Sequence, residues 1–263
     1  MQKAVAISEE FANDATDRLK AGGLLFDRKV VRIVTPGTLI DEKFMNPCES
    51  NFLLSITGYD GDKHQLQQQS GSIADQKDDD EPILLGLAWV DLSSGDFFLQ
   101  QSNIASLPSV IAAINPRQII LDTSVKSLPA SLLSTALRDE AQIITYHDSP
   151  PVVQSVHEWN HLMMAPFSND GLDEITKLEL DAGTFLLSYV TNQLQGAKLA
   201  FKQPVIRHES ENMIIDKNTL RALEVRSTIH DGTFAGSLLH SVRKTVTKSG
   251  ARLLHQRLSK STL

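Results

Sequence analysis

The chain has 263 residues, 41% of them hydrophobic and 22% charged, an ordinary globular composition and a length that suits one or two domains. Its longest apolar runs, such as residues 83–90, fall far short of the ~18–20 residues that a membrane helix needs. Glu9 and Glu10 in the opening stretch are unlike a signal or transit peptide, so a soluble protein is expected. One cysteine, Cys48, excludes an internal disulfide and a cysteine-built zinc site and fits a reducing compartment.

A net charge of -7 argues against tight DNA binding by the whole surface. The charge is uneven. Residues 197–263 hold 12 Lys+Arg against 5 Asp+Glu, residues 1–196 hold 13 against 27, and no acidic residue follows Asp231. The basic end therefore has a different electrostatic task from the acidic remainder.

Residues 1–27 carry no clear period. Residues 28–34 read as a β-branched strand, ended by Thr35-Pro36-Gly37-Thr38, where Pro fixes φ and Gly tolerates positive φ in a turn. Residues 51–57 read as the next strand. Residues 59–82, with three consecutive glutamines and the acidic cluster 78–81, have too little apolar surface to bury and are expected to form a mobile loop. Residues 83–92 and 96–101 read as a hairpin around Ser93-Ser94-Gly95. Trp89 has apolar neighbours and is expected in the core.

The period then changes. Residues 107–115 predict a short helix stopped by Pro116, 118–121 a buried strand, 131–141 a helix and 142–146 a strand. The order β-β-β-α-β-α-β suggests an α/β domain with a mixed sheet, closing its core within residues 30–146. Beyond Pro150-Pro151 the chain reads as mainly helical, with a broad apolar stripe over 172–194. A short strand at 212–216 follows, then a helix capped by Asp216, and helices at 233–246 and 249–258, the latter with Ser249 as a possible cap.

Four stretches, in this order, resemble the MutS-type DNA mismatch repair proteins: residues 28–38; Val90-Asp91-Leu92-Ser93-Ser94-Gly95-Asp96-Phe97; Met213-Ile214-Ile215-Asp216 with Thr219-Leu220-Arg221-Ala222-Leu223-Glu224-Val225; and Gly236-Ser237-Leu238-Leu239 with residues 245–254. Gly22-Gly23-Leu24 and residues 39–45 are most similar to fungal mitochondrial homologues. The resemblance implies three parts: 1–35 as the end of a mismatch-binding domain and a linker, 36–155 as an α/β connector of ribonuclease-H-like fold, and 156–263 as the start of a mainly helical core. It further implies a fragment that relays conformational change. The full-length family has mismatched duplex DNA, a second MutS subunit and MutL as partners, ATP and Mg as cofactors, and here a mitochondrial or nuclear location, mitochondrial favoured.

The departures are specific. Phe11-Ala12-Asn13 lacks the Glu of the mismatch-reading Phe-x-Glu motif, and no G-x-x-x-x-G-K-[ST] occurs to cradle phosphates. The chain is therefore expected to be a truncated product or fragment with no enzymatic activity, no cofactor, no catalytic, cofactor-binding or metal-binding residues, and only weak non-specific DNA binding.

Rival readings rest on other residues. His157-Glu158-Trp159-Asn160-His161 matches the zinc-hydrolase pattern H-E-x-x-H, which on an α-helix would put both histidines on one face, with Glu174 or Glu179 as a third ligand. Asp91, Asp96 and Asp122 could serve a ribonuclease-H-like nuclease if they converged on metal ions. We read both sets as incidental. A small regulatory MutL-binding protein is a third alternative. The basic residues Arg243, Lys244, Lys248, Arg252, Arg257 and Lys260 could touch phosphates; with no aromatic residue after Phe234, we expect them to face other protein surface or solvent. Without a phosphate loop the purified chain should show no saturable heat of ATP binding by calorimetry; a saturable isotherm would refute this.

Overall fold

A computed structural model describes residues 4–10, 28–40, 44, 46, 48–58, 83–124, 132–150, 155–167, 174–195, 200–208, 212–213, 215–259 and 261–262. The expected loop at 59–82, Phe11-Ala12-Asn13 and Lys260 lie outside them. Two strands, β1 (Val5–Glu10) and β2 (Arg28–Val34), form an antiparallel ribbon with a register shift at Ile7/Ser8.

The main sheet has six strands: β3 (Phe52–Thr57), β4 (Leu84–Asp91), β5 (Asp96–Asn103), β6 (Gln118–Asp122), β7 (Ile144–His147) and β8 (Val205–Arg207). Their order is β7-β6-β3-β4-β5-β8. The meander β3-β4-β5 is antiparallel, while β6 joins β3, β7 joins β6 and β8 joins β5 in parallel. This is the mixed α/β sheet expected from the sequence. The period of two sorts its side chains onto two faces. Phe52, Leu54, Ile56, Leu85, Leu87, Trp89, Ile119 and Leu121 line one; Leu53, Ala88, Val90, Phe97, Leu99 and Ile120 line the other.

The first face is covered by helix α1 (Leu107–Ile114), through Leu107, Val110, Ile111 and Ile114, and by Leu133 and Leu137 from the stretch that begins with helix α2 (Leu132–Ala136). Asn115 caps α1 in the left-handed region, φ 55°. Trp89 is buried here and stacks on Phe98 with ring centroids 5.4 Å apart.

The second face corrects an expectation. The sheet does not close its core within residues 30–146. That face is covered by helix α3 (Lys177–Gln193), through Ala182, Phe185, Leu186, Leu187, Tyr189 and Val190. The helix starts later than residue 172 because Thr176 and Glu179 form a reciprocal capping box, each side chain bonding the other residue's backbone N–H. Two glycines let it lie close. A Cβ on Gly86 would sit 2.0 Å from the Leu178 carbonyl oxygen, and one on Gly183 would sit 2.4 Å from the Trp159 ring.

The remaining elements are short: β9 (Asn212–Met213), helices α4 (Lys217–Ala222), α5 (Leu238–Val242) and α6 (Lys248–Ser259), and β10 (Ser261–Thr262), which pairs with β9. Asp216 caps α4 as expected, accepting from Asn218 N and Thr219 N. The other helices differ from expectation. The helix expected over 233–246 is confined to 238–242: Gly236 has φ +94°, Ser237 caps at His240 N, and Arg243 is already extended. Thr247, not Ser249, caps α6, accepting from Gly250 N at 3.0 Å. The helix expected over 131–141 gives way to a 3-10 turn at Arg138–Ile143. None of these C-terminal residues enters either apolar cluster of the sheet.

Because the two nearest atoms opposite Gly86 are backbone atoms of Leu178, Gly86→Ala must push α3 off the sheet. Urea unfolding should show a loss of about 1–3 kcal/mol; unchanged stability would mean that α3 is not held there.

Candidate functional site

The H-E-x-x-H stretch lies in a 3-10 helix, Val156–Leu162, not in an α-helix. With three residues per turn, residues i and i+3 eclipse, and residues four apart are turned by about 120°. Val156, Trp159 and Leu162 therefore share the buried side, while His157, Glu158 and His161 are exposed. His161 Nδ1 lies 2.8 Å from the Glu158 carbonyl oxygen. Glu179, one suggested third ligand, is spent in its capping box. Among the described residues no three His, Cys, Asp or Glu come together to hold a metal. The stretch instead supplies Trp159, which packs over Gly183 and donates its indole N–H to Thr184 Oγ1 at 3.2 Å.

The three aspartates do not converge. Asp91 and Asp96 are register partners level with Phe52, whereas the parallel register of β6 with β3 puts Asp122 level with Thr57. Five residues of strand separate these ends, about 16 Å, so the three cannot share one metal pair. Each has a local task. Buried Asp91 accepts from Ser93 N (2.9 Å), Ser93 Oγ (2.6 Å) and Asn51 N (3.3 Å). Asp96 accepts from Ser94 Oγ and Lys202 Nζ. Burial raises the pKa of Asp122, but hydrogen bonds from Ser124 and Ser149 leave it net below the usual value.

What the structure does assemble is a pair of joints. The first is the turn after β2. Gln118, fully buried at the start of β6, accepts at Oε1 from Thr35 Oγ1 (2.6 Å) and Gly37 N (2.9 Å). Its Nε2 donates to Tyr189 Oη on α3 (2.8 Å) and to Thr145 Oγ1 on β7 (2.9 Å). Gly37 is not among the positive-φ glycines. It is needed for proximity, since a Cβ there would meet Leu53 and Gln118 at 2.7–2.9 Å. Burial raises the Tyr189 pKa, so the phenol stays protonated.

The second joint is a polar seam between α6 and the rim of the sheet. Arg252 donates to Ser93 Oγ (3.2 Å) and lies 3.9 Å from Asp91. Gln256 reaches Ser50 (3.4 Å), and Arg226 bridges the Ala113 carbonyl oxygen (3.2 Å) and Ser259 Oγ (3.0 Å). Arg117 pairs with Glu49. Burial lowers the Arg226 pKa to about 10 against the pull of Glu49, so it stays charged at neutral pH. Burial first, then Arg226 and Arg117, lower His255 to about 4. Beside the seam a cleft of about 200 Å³ runs between α1 and α4, walled by Ile111, Pro116, Leu220 and Val225.

Of the basic residues singled out from the sequence, Arg252 and Arg243 touch the chain itself, Arg243 through Cys48 Sγ (2.8 Å) and the Phe234 ring (5.9 Å). Lys244, Lys248 and Arg257 are exposed. Sequence reasoning missed Gln118, Arg226 and His255. Only Gln118 left a signal, as a lone amide opening an apolar strand. Gln118→Leu would remove four hydrogen bonds and leave the buried Gly37 N–H without its acceptor, at about 1–3 kcal/mol for that group before relaxation. The unfolding midpoint in urea should fall steeply, and a variant as stable as the parent would show the network to be dispensable.

No family model matches the chain. It is 30% identical over 261 residues to the DNA mismatch repair protein MutS of Bradyrhizobium sp. (strain ORS 278), and 29% identical over 259 residues to that of Rhodopseudomonas palustris (strain BisA53). Each match covers 97% of this chain and 26% of the relative, so the chain spans about a quarter of the length of the curated relatives it matches. Along nearly its whole length, then, this chain is similar to one segment of MutS-type DNA mismatch repair proteins.

Proposed function

We propose that the chain is the connector and the first part of the core of a MutS-type protein, and that its task is mechanical: it joins a mismatch-binding part to the rest and passes conformational change between them. The observation that carries this reading is the pair of joints on one rigid sheet. The Gln118 network locks the incoming turn and α3 to the sheet, while in the outgoing segment α6 meets the rim through the polar contacts of Arg252, Gln256 and Ser259. A ribonuclease-H-like connector fits the antiparallel meander β5-β4-β3 extended by the parallel strands β6 and β7. Since α3 and β8 complete that sheet, we place the end of the connector after Arg207, beyond residue 155, and the start of the core at about β9.

Mismatched DNA, a second MutS subunit and MutL are the partners of this reading, with ATP and Mg bound by parts of the family that these residues do not match. The chain itself carries out no chemistry. A mitochondrial or nuclear location, mitochondrial favoured, goes with the fungal resemblance; no helix among the described residues is long and apolar enough to cross a membrane.

Added in excess, the chain should compete with a full-length MutS for its MutL partner in a pull-down, and failure to compete would count against the connector assignment. In fluorescence anisotropy, heteroduplex and homoduplex DNA should bind equally and weakly. Binding should fade between 50 and 200 mM salt, as it does when only phosphates are contacted. A marked preference for heteroduplex would mean that this segment reads mismatches itself.

A further inference from the structure

We propose that α6 is an acid-released latch: His255, set among Arg117, Arg226 and Arg252, lets the helix rest on the rim of the sheet only while its ring carries no proton. Three observations lead there.

The first is the spacing of the anchors. Arg252, His255, Gln256 and Ser259 fall at i, i+3, i+4 and i+7, one stripe of a helix. Three of the four make the seam's hydrogen bonds, to Ser93, Ser50 and Arg226. Ala251, one turn before His255, is buried. The imidazole thus sits in the middle of the docked face and is mostly hidden.

The second is the charge around it. From the segment before β3 come Glu49 and Cys48, and Glu49 is paired with Arg117. From the β4–β5 turn come Asp91, committed to Ser93, Asn51 and Arg252, and Asp96, committed to Ser94 and Lys202. The α1 helix contributes no ionisable side chain. From α5 and its end come His240 and Arg243, and α6 adds Lys248 and Arg257. Nearby Glu224 accepts from Ile229 N. Among the described residues every carboxylate near the seam already has partners, so a proton on His255 adds a cation among arginines. The lowered pKa of about 4, from burial and then from Arg226 and Arg117, agrees with this geometry.

The third is what else holds α6 down. The segment from 217 to 259 buries four apolar side chains, Leu220, Val225, Leu239 and Ala251, and none belongs to the two apolar clusters of the sheet. With so little apolar attachment, loss of the polar seam is enough to free the helix.

The sign follows from linkage. The docked state excludes a proton that the undocked ring takes up at its ordinary pKa of 6.5. Docking is therefore strongest above that pH and weakens as pH falls toward 4. Between pH 7.5 and pH 5 the undocked-to-docked ratio should rise about thirtyfold.

Methyl NMR on the full chain tests this. As pH falls from 7.5 to 5, the Leu239 and Leu254 signals should move to undocked positions while those of Leu54 and Leu87 in the sheet stay fixed. His255→Gln should remove most of that response. A Gln variant responding like the parent would overturn the proposal. Should that variant fail to fold, the parent's own His255 ring signal decides: titration near 6.5 with Leu239 and Leu254 still docked would overturn it, and undocking in step with ring protonation would support it.

Discussion

One side-chain amide makes all four of the hydrogen bonds open to it, and much of the molecule is arranged around that fact. An amide placed where no water reaches is costly unless each of its lone pairs and N–H groups finds a partner. Gln118 finds them on three different parts of the chain: the turn at Thr35 and Gly37, the strand β7 and the helix α3. Each of these is thereby fixed relative to β6, in direction as well as distance, which apolar contact alone would not do. The threonines at 35 and 38 close the turn on itself, so that the chain meets the sheet in one conformation.

The two attachments of the sheet to its surroundings are therefore of opposite character. The incoming side is a buried, saturated network with no spare donor or acceptor on the amide. The outgoing side is a row of arginine and glutamine contacts at the rim, part of it in reach of water and salt, where such pairs contribute little each. A sheet with one rigid and one loose attachment can hold its position relative to one neighbour and yield to the other. That asymmetry is the physical basis of the mechanical role proposed above.

Much of the sheet was legible in the sequence because alternation and turn chemistry are local signals. The strands at 28–34, 52–57, 84–91 and 96–103 and the cap at Asp216 lie where residue pattern puts them. What was not legible is what depends on distant partners. Nothing in the stripe of α3 says which surface it covers, so its place on the sheet was missed. The helix expected over 233–246 had the right apolar residues but was cut short by the geometry of Gly236 and the cap at Ser237. The histidines at 157 and 161 fitted a motif whose meaning needs an α-helix, and the backbone there is 3-10. Arg226 and His255 owe their surroundings wholly to tertiary packing, and no local pattern announces them.

The position of α3 also bears on how the protein is made. The sheet begins at Phe52, but the helix that seals its second face ends at Gln193, and the strand that finishes its edge is Val205–Arg207. During synthesis at ~5–20 residues per second, on the order of 10 s passes between the first strand and its cover. Through that interval Leu53, Val90, Phe97 and Leu99 present an open apolar face to whatever is nearby. The nascent chain is then a natural client for a holding chaperone, and pauses in translation between residues 122 and 177 would lengthen its exposure.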